Sequence, residues 1–153
     1  MFVEIVKIIA YSCWTMFMLS TLVALLIFFH KPKKSKFRAK NVEIVVVSIA
    51  NNNVRNSLSE TIANIEKLGL KSHLLVDEGA ELIPELPREN LVVVPRIYKP
   101  YLVAKGRAMS YFVENHVQGN KWYGFVDDDN LVLDDDFLYE IPYYEERGYV
   151  AMN

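Results

Sequence analysis

The chain has 153 residues, of which 52% are hydrophobic, and its 17 Lys and Arg residues face 19 Asp and Glu residues. The net charge of −2 excludes a generally basic nucleic-acid binder, so we expect no nucleic-acid partner. A single cysteine, Cys13, excludes an intrachain disulfide and a metal site built from several cysteines.

The first element along the chain is an uncharged apolar run from Ile8 to Phe29. About 20 apolar residues are enough to cross a bilayer as a helix. The run is longer than the apolar core of a signal peptide and lacks a small-residue cleavage site. We therefore predict one transmembrane anchor over residues 1–30.

The next segment, residues 31–40, is basic and carries five lysines and one arginine. An excess of Lys and Arg marks the cytoplasmic side of a membrane span. We therefore expect a single-pass membrane protein with its amino terminus outside and its carboxyl-terminal domain in the cytoplasm. The basic side chains can also contact anionic lipid headgroups.

Residues 41–153 alternate predicted strands and helices. The predicted strands are Val42–Ile49, Ser72–Val76, Leu91–Val94, Trp122–Val126 and a last one from Tyr149 to Met152. A helix is predicted from the capping-box spacing of Ser57 and Glu60, and a second one over Leu102–His116. This alternation predicts an α/β fold with a mostly parallel sheet covered by helices.

Polar side chains follow three of these predicted strands: Asn51, Asp77 and the triplet Asp127–Asp129. The carboxyl ends of parallel strands share one edge, where open α/β sheets bind ligands. Two carboxylates one residue apart, Asp127 and Asp129, suit a hard divalent cation such as Mg²⁺ or Mn²⁺ that also contacts phosphate. A solvated acidic loop is the alternative interpretation of the triplet.

A second acidic cluster, Asp134–Asp136, precedes another apolar run. Aspartate favours a helix amino terminus as a cap and as a partner of the helix dipole, so we predict a helix start there. A calcium loop of the EF-hand type is excluded, because Leu131 and Val132 occupy the places of a ligand and of the glycine.

Four runs in chain order carry a family resemblance: the strand Val42–Ile49, Val76–Ala80, Lys105–Ala108 and Phe125–Asn130. This order resembles the donor-binding half of family 2 glycosyltransferases, and the run from Val94 to Tyr111 is most similar to the membrane-bound egghead-type β-mannosyltransferases. The resemblance implies a Rossmann-like GT-A nucleotide-sugar-binding sheet, incomplete in this chain. It also implies hexosyl transfer from a cytosolic GDP- or UDP-linked sugar to a lipid-linked or polysaccharide acceptor, with Mg²⁺ or Mn²⁺ as cofactor.

Site residues follow from the resemblance position by position. The metal would be held by Asp127 and Asp129. The nucleotide base would contact Asp77, and the phosphates would lie near Lys105 and Arg107, although an exposed helix face is an equal interpretation of that pair. The full set of implied donor-binding residues is Ile49, Ala50, Asn51, Asp77, Lys105, Arg107 and Asp128.

The catalytic base has no predicted position in this chain, because the resemblance places it after the strand that begins near Tyr149, beyond Asn153. We therefore expect the chain to bind donor without efficient transfer, either as part of a longer sequence or with a second chain completing the site. Two alternatives remain: a non-catalytic membrane protein that binds nucleotide or a partner, and a nucleotidyltransferase. The latter usually has a glycine-rich phosphate loop where this chain has residues 50–53.

Overall fold

The computed structural model describes residues 2–29 and 31–150. The chain divides into two compact units, Met1–Lys33 and Lys34–Asn153. The first unit is a single helix, α1, which spans Phe2–Phe28. By length and composition, its residues Glu4–Phe28 are apolar enough to cross a membrane, and none of that stretch is buried.

Hydroxyl groups inside α1 bond back to the helix itself. The side chains of Thr15 and Thr21 donate to the carbonyl oxygens of Tyr11 and Phe17, at 2.8 and 2.9 Å. Because hydrocarbon offers no hydrogen-bond partner, such internal bonds let a helix carry hydroxyl side chains across a bilayer. The composition of α1 is therefore compatible with the predicted membrane span.

The second unit is an α/β domain with a four-stranded, fully parallel sheet in the order β3-β2-β1-β4. Its elements, in chain order, are β1 (Val42–Ser48), α2 (Arg55–Lys67), β2 (Lys71–Asp77), β3 (Leu91–Val94), α3 (Ala104–Asn115), β4 (Trp122–Asp127) and α4 (Phe137–Glu145). The predicted alternation and the parallel sheet are confirmed. Short 3₁₀ turns add Asn52–Val54, Ile83–Glu85 and Arg88–Asn90.

Strand β1 lies inside the sheet and is buried along its whole length. Its alternate residues therefore supply two separate cores. On one face Ile44 and Val46 pack in a cluster with Leu58 of α2, and on the other Val45 and Val47 pack with Phe112 of α3. The nearly continuous β-branched sequence of β1 is typical of a strand covered on both faces.

Two predicted details of local structure are wrong. The capping box at Ser57 and Glu60 does not exist, because α2 begins at Arg55 and Ser57 lies within it. The chain turns earlier than predicted because Asn51 caps the preceding 3₁₀ turn with its side chain. Of the predicted strand Tyr149–Met152, the first two residues are in no strand, and the others lie outside the described residues.

The predicted helix start after the second acidic cluster is confirmed, since α4 begins at Phe137. One aspartate of the cluster bonds to the backbone at this start as predicted, since Asp134 Oδ1 accepts a hydrogen bond from the Asp136 N–H at 3.0 Å. Asp136 itself makes no side-chain capping bond. Instead, Asp136 and Asp135 form ion pairs with Lys34 and Arg38 of the basic segment. This charge match holds the start of the second unit against α4.

Candidate functional site

The carboxyl ends of three strands meet at one edge of the sheet. Val47 of β1 is paired with Asp127 of β4, and Ser48 of β1 is paired with Val76, directly before Asp77 in β2. The chain order reverses at β1, since β2 and β3 lie on one side of it and β4 on the other. Ligands of open α/β sheets bind in the crevice at such a reversal.

Asp127 is paired with a lysine from the start of α3. Lys105 Nζ lies 2.6 Å from Asp127 Oδ1, and each side chain is about half exposed. The pKa of Lys105 is raised above its ordinary value, first by this hydrogen bond and also by the charges of Asp127, Asp128 and Asp129, against a smaller opposing effect of burial. All three carboxylates of the triplet therefore act on one ammonium group.

Asp128 points into the domain and is only 8% exposed. Its Oδ2 accepts a hydrogen bond from the Ser48 hydroxyl at 2.5 Å, and Ser48 Oγ itself accepts a hydrogen bond from the Ala50 N–H at 2.9 Å. The Thr61 hydroxyl lies within hydrogen-bonding distance of the carbonyl oxygens of Asp128 and Asn130, at 3.2 and 3.1 Å. Asp128 therefore joins the loop after β4 to the loop after β1.

Asp129 is exposed, in contrast to its neighbour. It is the member of the triplet whose side chain faces solvent most openly, next to the half-exposed Asp127. Asp127 is thus half-exposed and Asp129 exposed at the carboxyl end of β4, while Asp128 between them is buried against Ser48.

The loop after β1 places the remaining predicted contacts. Ile49 is 60% exposed, whereas Ala50 is fully buried and has a φ of +43°. The side chain of Asn51 is occupied, because its Oδ1 accepts from the N–H groups of Asn53 and Val54 at 3.0 and 3.3 Å. At this loop the exposed side chain of Ile49 is therefore open to a ligand, whereas Asn51 Oδ1 is not.

Asp77 ends β2 and is covered by an arginine from α3. Arg107 Nη2 lies 2.6 Å from Asp77 Oδ1, and that oxygen is buried without an aligned hydrogen bond, so the contact is a charge pair rather than a directed bond. Arg107 Nη1 also donates to the carbonyl oxygen of Arg96 at 3.3 Å. Its side chain is only 15% exposed, which makes it a fixed part of the edge.

A second arginine, Arg96, belongs to the same edge and was not assigned from the sequence. Its Nε donates to the Glu78 carbonyl oxygen at 3.1 Å, and its N–H donates to Glu78 Oε2 at 2.9 Å. Gly79, with φ +85°, makes room for it, since a Cβ there would lie 2.3 Å from Arg96 Nη2. The Asp-Glu-Gly sequence after β2 was the available signal, because glycine there marks a close approach or a positive φ.

Strained backbone occurs on both sides of this crevice. Ala50 after β1 and Ala104 directly before Lys105 have φ values of +43° and +50°, in the left-handed region that side chains other than glycine rarely adopt. Such residues persist only where the surrounding structure holds them, and they are concentrated at functional sites. The strain is therefore compatible with a ligand site between β1 and β4.

The donor set at the edge fits a divalent cation only in part. Among the described residues, no group of three or more His, Cys, Asp or Glu side chains is arranged to hold a metal ion. Asp127 and Asp129 supply two carboxylates. Mg²⁺ is commonly bound in this way, by one or two carboxylates together with substrate phosphates and water. The residues thus fit a cation that arrives with a phosphate-bearing ligand, and not a resident all-protein site.

Comparisons of the chain with protein-family models, with curated proteins and with solved structures found no match.

Proposed function

We propose that this chain is the donor-binding part of a membrane-anchored glycosyltransferase of family 2, with a Rossmann-like GT-A sheet that binds a nucleotide-diphosphate sugar. The observation that carries the proposal is the meeting of Asp77, Asp127 and Asp129 with Lys105 and Arg107 at the carboxyl edge of a parallel sheet. The strand order 3-2-1-4 supports it, because it is the start of the common doubly wound order of dinucleotide-binding sheets.

The charges at this edge match the chemistry of sugar transfer. A nucleoside diphosphate gains negative charge as the bond to the sugar breaks. Lys105 and Arg107 are placed beside the carboxylates and can donate charge-assisted hydrogen bonds to phosphate oxygens. A divalent cation bound with the diphosphate, held by Asp127 and Asp129, would stabilise the same charge as a Lewis acid.

The other half of the crevice suits the nucleoside. Asp77 keeps close to half of its side chain exposed although Arg107 covers one of its oxygens, so it can accept a hydrogen bond from a base. Ile49 presents an exposed apolar side chain next to the loop backbone. Asp128 has a positioning role in this proposal, since its buried carboxylate holds the loop that would border the ribose.

A second candidate is a membrane-anchored protein that binds nucleotide or a partner without catalysis. The observation that favours it is that two of the acids predicted to contact the donor already have counter-ions within the chain. Lys105 pairs with Asp127, and Arg107 pairs with Asp77. Ion pairs of this kind also occur as parts of the scaffold of a domain. The two candidates differ in turnover, so a radiolabelled-sugar assay with membrane lipid extract separates them.

The binding half of the proposal is tested with the purified full chain in detergent micelles. Titration with GDP and with UDP is followed by calorimetry in Mn²⁺, in Mg²⁺ and in excess chelator. We expect one of the two nucleotides to bind at least about tenfold more tightly with the metal, a difference of about 1.4 kcal/mol.

Matched variants locate the metal effect. Asp129→Asn should remove most of the gain in nucleotide affinity that the metal gives, because this change deletes the charge of one of the two proposed metal ligands. Asp134→Asn is the control, since Asp134 is also exposed but belongs to the second acidic cluster. Equal loss in the two variants, or a full metal effect in Asp129→Asn, would refute the assignment of the metal ligands.

A further inference from the structure

Lys105 forms an ion pair with one of the two proposed metal ligands. Its Nζ lies 2.6 Å from Asp127 Oδ1, so one of the two proposed metal ligands already has a counter-ion within the chain. A bare cation that binds here must displace the lysine and then lie beside its positive charge.

The two ion pairs of the edge differ in how easily they open. The Lys105 and Asp127 side chains are 48% and 44% exposed, and an exposed pair on a flexible four-carbon stem is weak. Arg107 is 15% exposed and also bonds to the backbone of Arg96. The structure therefore contains one exchangeable lysine and one fixed arginine at the same edge.

From this difference, and resting on the proposed function, we infer that Lys105 makes cation binding conditional on the diphosphate. Without nucleotide, Lys105 neutralises Asp127 and excludes a divalent cation by competition and repulsion. A diphosphate offers the ammonium group a new anionic partner, which releases Asp127 to the cation. The cation and the nucleotide then bind together, and each increases the affinity for the other by the same factor, as linkage requires.

The specific consequence concerns free metal. A wild-type chain binds Mn²⁺ weakly in the absence of nucleotide. Lys105→Met should bind Mn²⁺ alone about three- to tenfold more tightly, which is the combined size of a lost exposed ion pair and a removed like charge. The same variant should bind the nucleotide diphosphate more weakly, so the gain in Mn²⁺ affinity on adding nucleotide becomes smaller.

The experiment measures free Mn²⁺ by electron paramagnetic resonance during titration of the full chain in micelles, first alone and then with GDP or UDP. Lys105→Arg should behave like the wild type, because it keeps the charge. Lys67→Met is the matched control for removal of a charge: Lys67 is exposed at the far end of α2, away from the carboxyl edge of the sheet. Thermal unfolding of every variant checks that it is folded.

The outcomes separate this inference from the proposed function. Tighter binding of Mn²⁺ alone by Lys105→Met, but not by Lys105→Arg or Lys67→Met, supports the inference. If the wild type binds Mn²⁺ and nucleotide together while Lys105→Met gains no affinity for Mn²⁺ alone, the inference is overturned and the proposed function stands. If the folded wild type shows no metal-dependent nucleotide binding, the proposed function fails and the inference fails with it.

Discussion

Glu43 offers the sharpest stability test, because it is a charged residue inside the sheet and only 7% exposed. Its Oε1 lies 2.7 Å from Nζ of Lys121, the residue directly before β4. Its Oε2 lies 2.6 Å from Nε2 of His73 in β2. The carboxylate thus connects both neighbours of the central strand. The change to examine is Glu43→Gln, which keeps the size and removes the charge.

The expected cost follows from the burial of the partners. Removing one member of a fully buried ion pair costs about 3–5 kcal/mol, since it leaves an uncompensated charge. Here the Lys121 side chain is 25% exposed and can turn to water, which reduces the cost. We therefore expect Glu43→Gln to lower the free energy of unfolding by about 2–3 kcal/mol at pH 7. This is close to the net contribution of a hydrogen bond to a charged group, about 1.5–3 kcal/mol. For a domain of this size such a loss lowers Tm by about 10 °C.

The same contact predicts a dependence on pH. Burial raises the pKa of Glu43, but the hydrogen bonds to Lys121 and His73 together lower it by more. The pKa therefore lies below its ordinary value of 4.5. Because the folded pKa is below the unfolded one, the stabilisation is complete above the unfolded value and is lost as the pH falls through the folded value. The stability gap between wild type and Glu43→Gln should therefore narrow below pH 4.5.

Thermal unfolding is followed by the fluorescence of Trp122, which is paired with Val42 beside Glu43 in the sheet. A Trp14→Phe background removes the signal of α1. Glu114→Gln is the control. Glu114 pairs with Lys99 at the surface and accepts a hydrogen bond from the Tyr98 hydroxyl, which a glutamine oxygen can also accept, so the change should cost at most about 1 kcal/mol of unfolding free energy. A Glu43→Gln protein within about 0.5 kcal/mol of the wild type at pH 7 would refute this reasoning.

Three further outcomes are expected. Gly79→Ala should cost about 1–2 kcal/mol of unfolding free energy, because φ is +85° and the new Cβ would displace the Arg96 guanidinium; unchanged thermal stability would contradict this. Asp128→Ala should cost about 1–3 kcal/mol of unfolding free energy, because a buried hydrogen bond is lost. Asp129→Ala, at an exposed position, should stay within about 0.5 kcal/mol of the wild type. Equal costs of the two variants in thermal unfolding would contradict the difference in their roles. A reporter fused after Asn153 should resist extracellular labelling, since Lys and Arg excess follows the apolar run; a labelled reporter would reverse the proposed topology.

The sheet could be predicted from the sequence because its signal is local. A nearly continuous β-branched run at Val42–Ile49 indicates a strand buried on both faces, and β1 ends within one residue of that prediction. The limits of β3 agree because Pro95 stops the strand directly after Val94. The start of α2 was misplaced because the spacing of Ser57 and Glu60 imitates a capping box, whereas the chain already turns at Asn51, whose side chain caps the 3₁₀ turn before α2.

The side-chain pairs of the site were beyond sequence reasoning. The pattern of aspartates at strand ends indicates that they share one edge of the sheet, since the strands are parallel. It does not indicate that Asp128 turns inward to Ser48 or that Lys105 lies on Asp127, because these contacts depend on register and on the position of α3. Glu43 was visible as a lone charge within an apolar strand, but its partners come from neighbouring strands.

We propose that the carboxyl edge of this sheet binds a nucleotide diphosphate together with a divalent cation. Calorimetric titration of the folded wild-type chain with GDP and UDP, with Mn²⁺ and with chelator, tests it most directly. The account predicts saturable binding of one of them with one site per chain, and a loss of at least about tenfold in affinity when the metal is removed. Absence of binding by both nucleotides in Mn²⁺, or binding that chelator leaves unchanged, would contradict it.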